Sequence, residues 1–164
     1  MSLGVHFALT APQLKKLLAA RGDDDAVLEV AAELEESWNS GWLAESDKAW
    51  DAMHRALSDG ELTFEGGAKH APLGLVVLGG ESMVEDEDET VVLLDAKKVA
   101  RAAKALSSLT EQDFHERYFR LCRGYAPEFG EEDFAYTWSN LADVRELFVK
   151  AAKAKRALLF TVSA

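Results

Sequence analysis

Three residues of types that could do chemistry crowd one short stretch: Asp47, Lys48 and His54 lie within ESDKAWDAMHRALSDG, the segment from Glu45 to Gly60. A histidine acts as a general base when a carboxylate holds one ring nitrogen protonated and leaves the other free to accept a proton. For a hydrolysis, His54 would be the base, Asp47 its orienting acid and Lys48 an electrostatic helper. No serine or cysteine can be assigned to that base as a nucleophile. The competing reading is a histidine that bonds a backbone carbonyl within the core. The hydrolase reading therefore requires an open cleft at His54, with Asp47 turned towards it.

The element that must position these groups reads as a helix. Ser46 or Asp47 is expected to cap it, satisfying a free amide and placing a carboxylate against the helix dipole. Steps of three and four from Trp50 reach Met53, His54 and Leu57 on one face, with Asp47 a turn earlier on the same stripe. His54 thus projects towards the core, and Gly60 can close the helix in a left-handed conformation. Trp50 and Met53 each gain roughly 1.5–3 kcal/mol from burial alone, so neither needs a ligand to explain it.

Composition narrows the function classes. The chain has 164 residues, 48% of them hydrophobic, which suits a single globular domain. Its formal net charge of -11 opposes phosphate backbones and anionic lipid, so neither nucleic acid nor a membrane surface is an expected partner. A cationic ligand or a basic protein suits the field better. The lone Cys122 cannot form an internal disulfide and fits a reducing compartment. MSLGVHFALT lacks the pattern of a signal peptide, and the expected location is the cytoplasm.

Leu3, Val5, Phe7 and Leu9 alternate with small or polar residues, predicting a strand with one face on a core and His6 on the other. Thr10 to Gln13 form a capping box that opens a helix to about Arg21. Asp23 to Asp25 open a second, with Val27, Val30, Ala31, Leu34 and Trp38 inward. Glu61 to Ala71 reads as an exposed loop around Gly66-Gly67, with His70 on the surface. Leu73 to Leu78 reads as a central strand closed by Gly79-Gly80.

Thr90 to Leu94 predicts another strand, and Asp95 and Thr110 cap two further helices, the second with Phe114, Tyr118, Leu121 and Cys122 inward. Gly124 to Gly130 forms a turn containing Tyr125 and Pro127, a helix runs from about Glu131 to Lys155, and Ala157 to Val162 forms the last strand. No metal or cofactor is expected. His115-Glu116 has Phe119 where a zinc-protease helix needs its second histidine, and the acidic run Glu85 to Glu89 lacks the glycine and distant glutamate of a calcium loop.

The elements imply an α+β domain with a small mixed sheet of about four strands packed with about six helices. Their order also resembles the bacterial family of unknown function typified by YfbM. The resemblance runs through Asp47-Lys48-Ala49-Trp50 with His54 and Leu57, through Pro72-Leu73 and Leu78-Gly79-Gly80, through Val91 to Leu106, and from Tyr125 to the last strand. It covers nearly the whole chain and implies one compact bacterial domain without an assigned activity. One departure is that Ala126 follows Tyr125 where a proline is expected, and Pro127 comes a residue later.

The leading expectation is a non-enzymatic module for a small molecule or protein, with a pocket lined by Trp42, Trp50, His54 and Tyr125. The alternatives are the hydrolase using His54 with Asp47, and an acidic inhibitor of a basic protein.

Overall fold

A computed structural model describes residues 2–125 and 128–163. Among the described residues, five strands form one sheet: β1 (Leu3–Ala8), β2 (Leu43–Asp47), β3 (Glu81–Ser82), β4 (Thr90–Leu94) and β5 (Leu158–Ser163), in the order β2-β1-β5-β4-β3. Every pairing is antiparallel, with His6 opposite Phe160 and Val92 opposite Phe160 on the other side. The described helices are α1 (Ala11–Ala19), α2 (Asp24–Ser37), α3 (Trp50–Leu57), α4 (Phe64–Lys69), α5 (Ala96–Ser108), α6 (Glu111–Leu121) and α7 (Glu131–Lys153). The fold is α+β.

The sheet is covered on both faces. Val5, Phe7, Val91, Leu93 and Leu159 pack with Leu17, Val27, Val30 and Leu34 of α1 and α2. The opposite face, with Ala8, Val92, Leu94, Leu158 and Phe160, packs against α3, α5, α6 and α7. Double coverage explains why β1 is buried from Gly4 through Ala8 where a one-sided strand was expected. It also puts His6 into the larger helical layer. Among the described residues no helix is long and apolar enough to cross a membrane.

Side-chain caps mark most helix starts. Thr10 with Gln13 and Thr110 with Asp113 form capping boxes, while Asp23, Thr63 and Asp95 accept amides of the first turns of α2, α4 and α5. The expected cap of α3 is corrected. Ser46 and Asp47 belong to β2, and Ala49 opens the helix with no side-chain hydrogen bond. Trp38 is also not inward: it caps α2 with φ 40°, is 39% exposed, and lies edge-on to Phe7.

Two segments differ further from expectation. Leu73–Leu75 is a short 3-10 turn, and Leu75 to Leu78 is a buried irregular segment, not a strand. Gly66 and Gly67, read as loop, lie buried in α4. Their lack of side chains lets α4 approach that segment backbone to backbone: a Cβ at Gly67 would lie 2.7 Å from Gly74 O and 2.9 Å from Gly79 Cα. The turn from Gly124 to Gly130 is described in part, since Ala126 and Pro127 lie outside the described residues.

Candidate functional site

His54 sits on the inner face of α3 with Ala52, Met53, Ala56 and Leu57, and is 0% exposed. Its Nε2 donates to Thr63 O at 2.8 Å. Nδ1 is then the unprotonated nitrogen and accepts from the Leu78 amide at 3.4 Å. A Cβ on Gly67 would lie 2.8 Å from His54 Cε1, so the backbone of α4 covers the ring. Burial lowers the His54 pKa from 6.5, with the Thr63 hydrogen bond the largest opposing influence. A neutral imidazole with both nitrogens engaged ties α3, the start of α4 and the Leu75–Leu78 segment together. In that position the ring is closed off from solvent.

Asp47 is not its partner. It ends β2 in the left-handed region at φ 49°, which a short polar side chain tolerates, and its Oδ2 accepts from Tyr136 Oη at 2.6 Å. The Lys48 amide donates to the same phenol oxygen at 3.2 Å. Tyr136, on α7, therefore clamps the turn that leads into α3, and both Asp47 and Lys48 are exposed. Burial and then the Asp47 hydrogen bond raise the Tyr136 pKa. Tyr136→Phe is expected to cost about 1 kcal/mol by urea unfolding, because two polar groups lose their shared partner.

The aromatic residues expected to share a pocket meet different neighbours. The indole N–H of Trp50 donates to Ser2 O at 3.2 Å, and its ring packs 5.9 Å from Phe160. Arg55 lies 5.9 Å over the Tyr125 ring while bonded to Asp51 at 2.6 Å, and burial pushes the Tyr125 phenol up to about 12. Trp42 ends a 3-10 turn (Ser40–Trp42) and is flanked by Lys150 Nζ at 4.1 Å and Arg156 Cζ at 3.5 Å from its ring centroid. Among the described residues, Trp42, Trp50, His54 and Tyr125 thus each meet different neighbours.

Beside the Trp42 turn, a cavity of about 400 Å³ opens between β2 and α7. Glu45, Asp143 and Glu146 contribute carboxylates to its wall, and Lys150 contributes the ammonium group. Lys150 is already committed, donating to Gly41 O at 2.5 Å while lying over Trp42. The cavity therefore presents a net negative lining, suited to a cationic group. Asp143 and Glu146 share one side of α7, but nothing in their local sequence points to Glu45, which lies about a hundred residues earlier.

Among the described residues, no three His, Cys, Asp or Glu side chains come together as a metal site. His115 instead pairs with Glu131 at 2.9 Å, and His70 lies 3.9 Å from Asp59.

The profile of the family described as "Domain of unknown function (DUF1877)" matches residues 1–161. No curated protein sequence matches the chain. A solved structure of YfbM from Escherichia coli, a protein of unknown function, is similar over 98% of this chain and 99% of that one. The TM-score is 0.69 at 19% sequence identity, a likeness of fold.

Proposed function

The chain belongs to the DUF1877 family of domains of unknown function, and from that premise we propose that it is a non-enzymatic binding module whose ligand carries positive charge. The observation that carries the reading is the carboxylate-walled cavity of Glu45, Asp143 and Glu146 beside Trp42. The Trp42 indole beside the cavity already carries Lys150 and Arg156, so recognition of an ammonium or guanidinium group falls to the three carboxylates. The net charge of -11 draws such ligands in. The ligand is a small cationic molecule or a basic side chain of a protein partner. The buried free thiol of Cys122 fits a module working in the cytoplasm.

Thermal-shift titration with spermidine and arginine ethyl ester, at matched ionic strength, tests this. Saturable stabilisation is expected, reaching about 2.7 kcal/mol at 100 times the dissociation constant. A variant combining Asp143→Asn with Glu146→Gln should weaken it by about tenfold or more. Equal binding by that variant would overturn the site. Ester or phosphoester turnover by the purified protein, abolished in His54→Asn, would replace the reading with the hydrolase.

A further inference from the structure

A second cavity, of about 550 Å³, lies between the end of α5 and α6 on the helical side of the molecule. Leu73, Ala105 and Leu109 give it an apolar wall, and Arg117 and Arg120 also line it. Among the described residues neither arginine joins an ion pair, and Arg117 has only a hydrogen bond to Ala56 O at 3.5 Å.

Among the described residues only Lys16, Arg21, Arg55 and Lys69 of the lysines and arginines join ion pairs; the feature of note is that Arg117 and Arg120, on one helix, line the same cavity. The carboxylates nearest in sequence, Asp113 and Glu116, also line the cavity. Asp113, however, spends Oδ2 on the Thr110 amide as part of the α6 capping box, and Glu116 is exposed to solvent. Arg117 is half-buried; its pKa is lowered first by burial and then by the charge of Arg120, with Asp113 the weaker opposing influence. The partly desolvated guanidinium beside Arg120 is only partly compensated by Asp113, and an anion placed between the two arginines would compensate it further.

We propose that this cavity binds an amphiphilic anion, a carboxylate or phosphate head group on a short aliphatic tail. Arg117 and Arg120 take the head group, since the guanidinium fork matches the planar oxygens of a carboxylate and the oxygens of a phosphate. Leu73, Ala105 and Leu109 take the tail. The site lies apart from the carboxylate-walled cavity beside Trp42, shares no lining residue with it, and stands or falls independently of cation binding there.

Isothermal titration calorimetry with hexanoate, hexyl phosphate, inorganic phosphate and hexylamine tests the site in the wild type, Arg117→Gln and Arg120→Gln. Saturable binding of hexanoate or hexyl phosphate is expected, and which one binds more tightly identifies the head group. Affinity should fall by about tenfold or more in each variant. Arg120 is exposed, so Arg120→Gln tests the site even if Arg117→Gln disturbs the fold. The proposal is overturned if neither ligand saturates below about 10 mM. Unchanged affinity in Arg120→Gln, equal binding of hexylamine, or inorganic phosphate binding as tightly as hexyl phosphate would overturn it too.

Discussion

Gly74→Ala is expected to lower the melting temperature by about 10 °C, from a destabilisation of about 3 kcal/mol. The added Cβ would fall on the carbonyl oxygen of Gly67, and a Cβ at Gly67 would in turn meet Gly74 O at 2.7 Å. Overpacking is mild when a flexible side-chain tip can yield, but here both obstacles are backbone, which puts the cost near the top of the usual range. The same crossing covers His54, so a shift in it would also disturb the ring's bonds to Thr63 and Leu78. Gly124→Ala is the control, since nothing lies within 4 Å of the Cβ it would add. Circular-dichroism melts should separate the two variants clearly; equal melting temperatures would mean that the backbone crossing is loose.

Stability is expected to fall by about 3 kcal/mol as pH drops from 7 to 4, because His6 is buried neutral. Its Nε2 donates to Val76 O at 2.6 Å, while Nδ1 has no partner, and Phe160 and Phe148 flank the ring. Burial lowers its pKa from 6.5 to about 4. Between those values the unfolded chain binds a proton that the folded chain refuses. Stability is therefore fully present above the unfolded value, declines as pH falls from about 6.5 to about 4, and is lost below that. His54, also lowered by burial, acts in the same direction.

Urea unfolding across this pH range measures the His6 contribution. His6→Leu should cost about 1 kcal/mol at pH 7 through the lost hydrogen bond and then flatten the profile relative to wild type. Carboxylates that titrate near pH 4 act on both proteins, so the difference between profiles isolates His6. Parallel profiles would place its proton binding elsewhere.

Most of the fold was legible because its signals were local. The capping boxes of Thr10 and Thr110 and the Asp23 and Asp95 caps locate four helices, and the β-branched run at Thr90–Leu94 locates a strand. The misreadings have specific causes. Ser46-Asp47 has the composition of a helix cap but ends a strand paired to β1, which hides β2. Leu73 to Leu78 is apolar because helices and sheet enclose it, and a short enclosed run carries no period to separate strand from turn. Gly66-Gly67 reads as a loop signal, yet it serves a close approach of two backbones.

The candidate site was legible only in part, for the same reason. Spacing placed His54 on the inner face of α3, where the structure also has it. Its partners, Thr63 O and Leu78 N, are backbone groups brought there by tertiary packing, which no side-chain pattern announces. Tyr136 meets Asp47 from 89 positions away, and Arg117 acquires its exposed cavity only when α6 packs beside α5. The resemblance to the YfbM family indicated the fold, and the fold match agrees with it.

His54 as a neutral core side chain is the premise on which the proposed binding at the surface cavities rests. A long-range proton–nitrogen NMR titration of its ring, from pH 7.5 to pH 5, measures this most directly. A single Nε2–H tautomer that titrates below the ordinary histidine pKa of 6.5 is expected. A ring that titrates near 6.5, or exchanges between tautomers, would contradict it and return His54 to reach of a substrate.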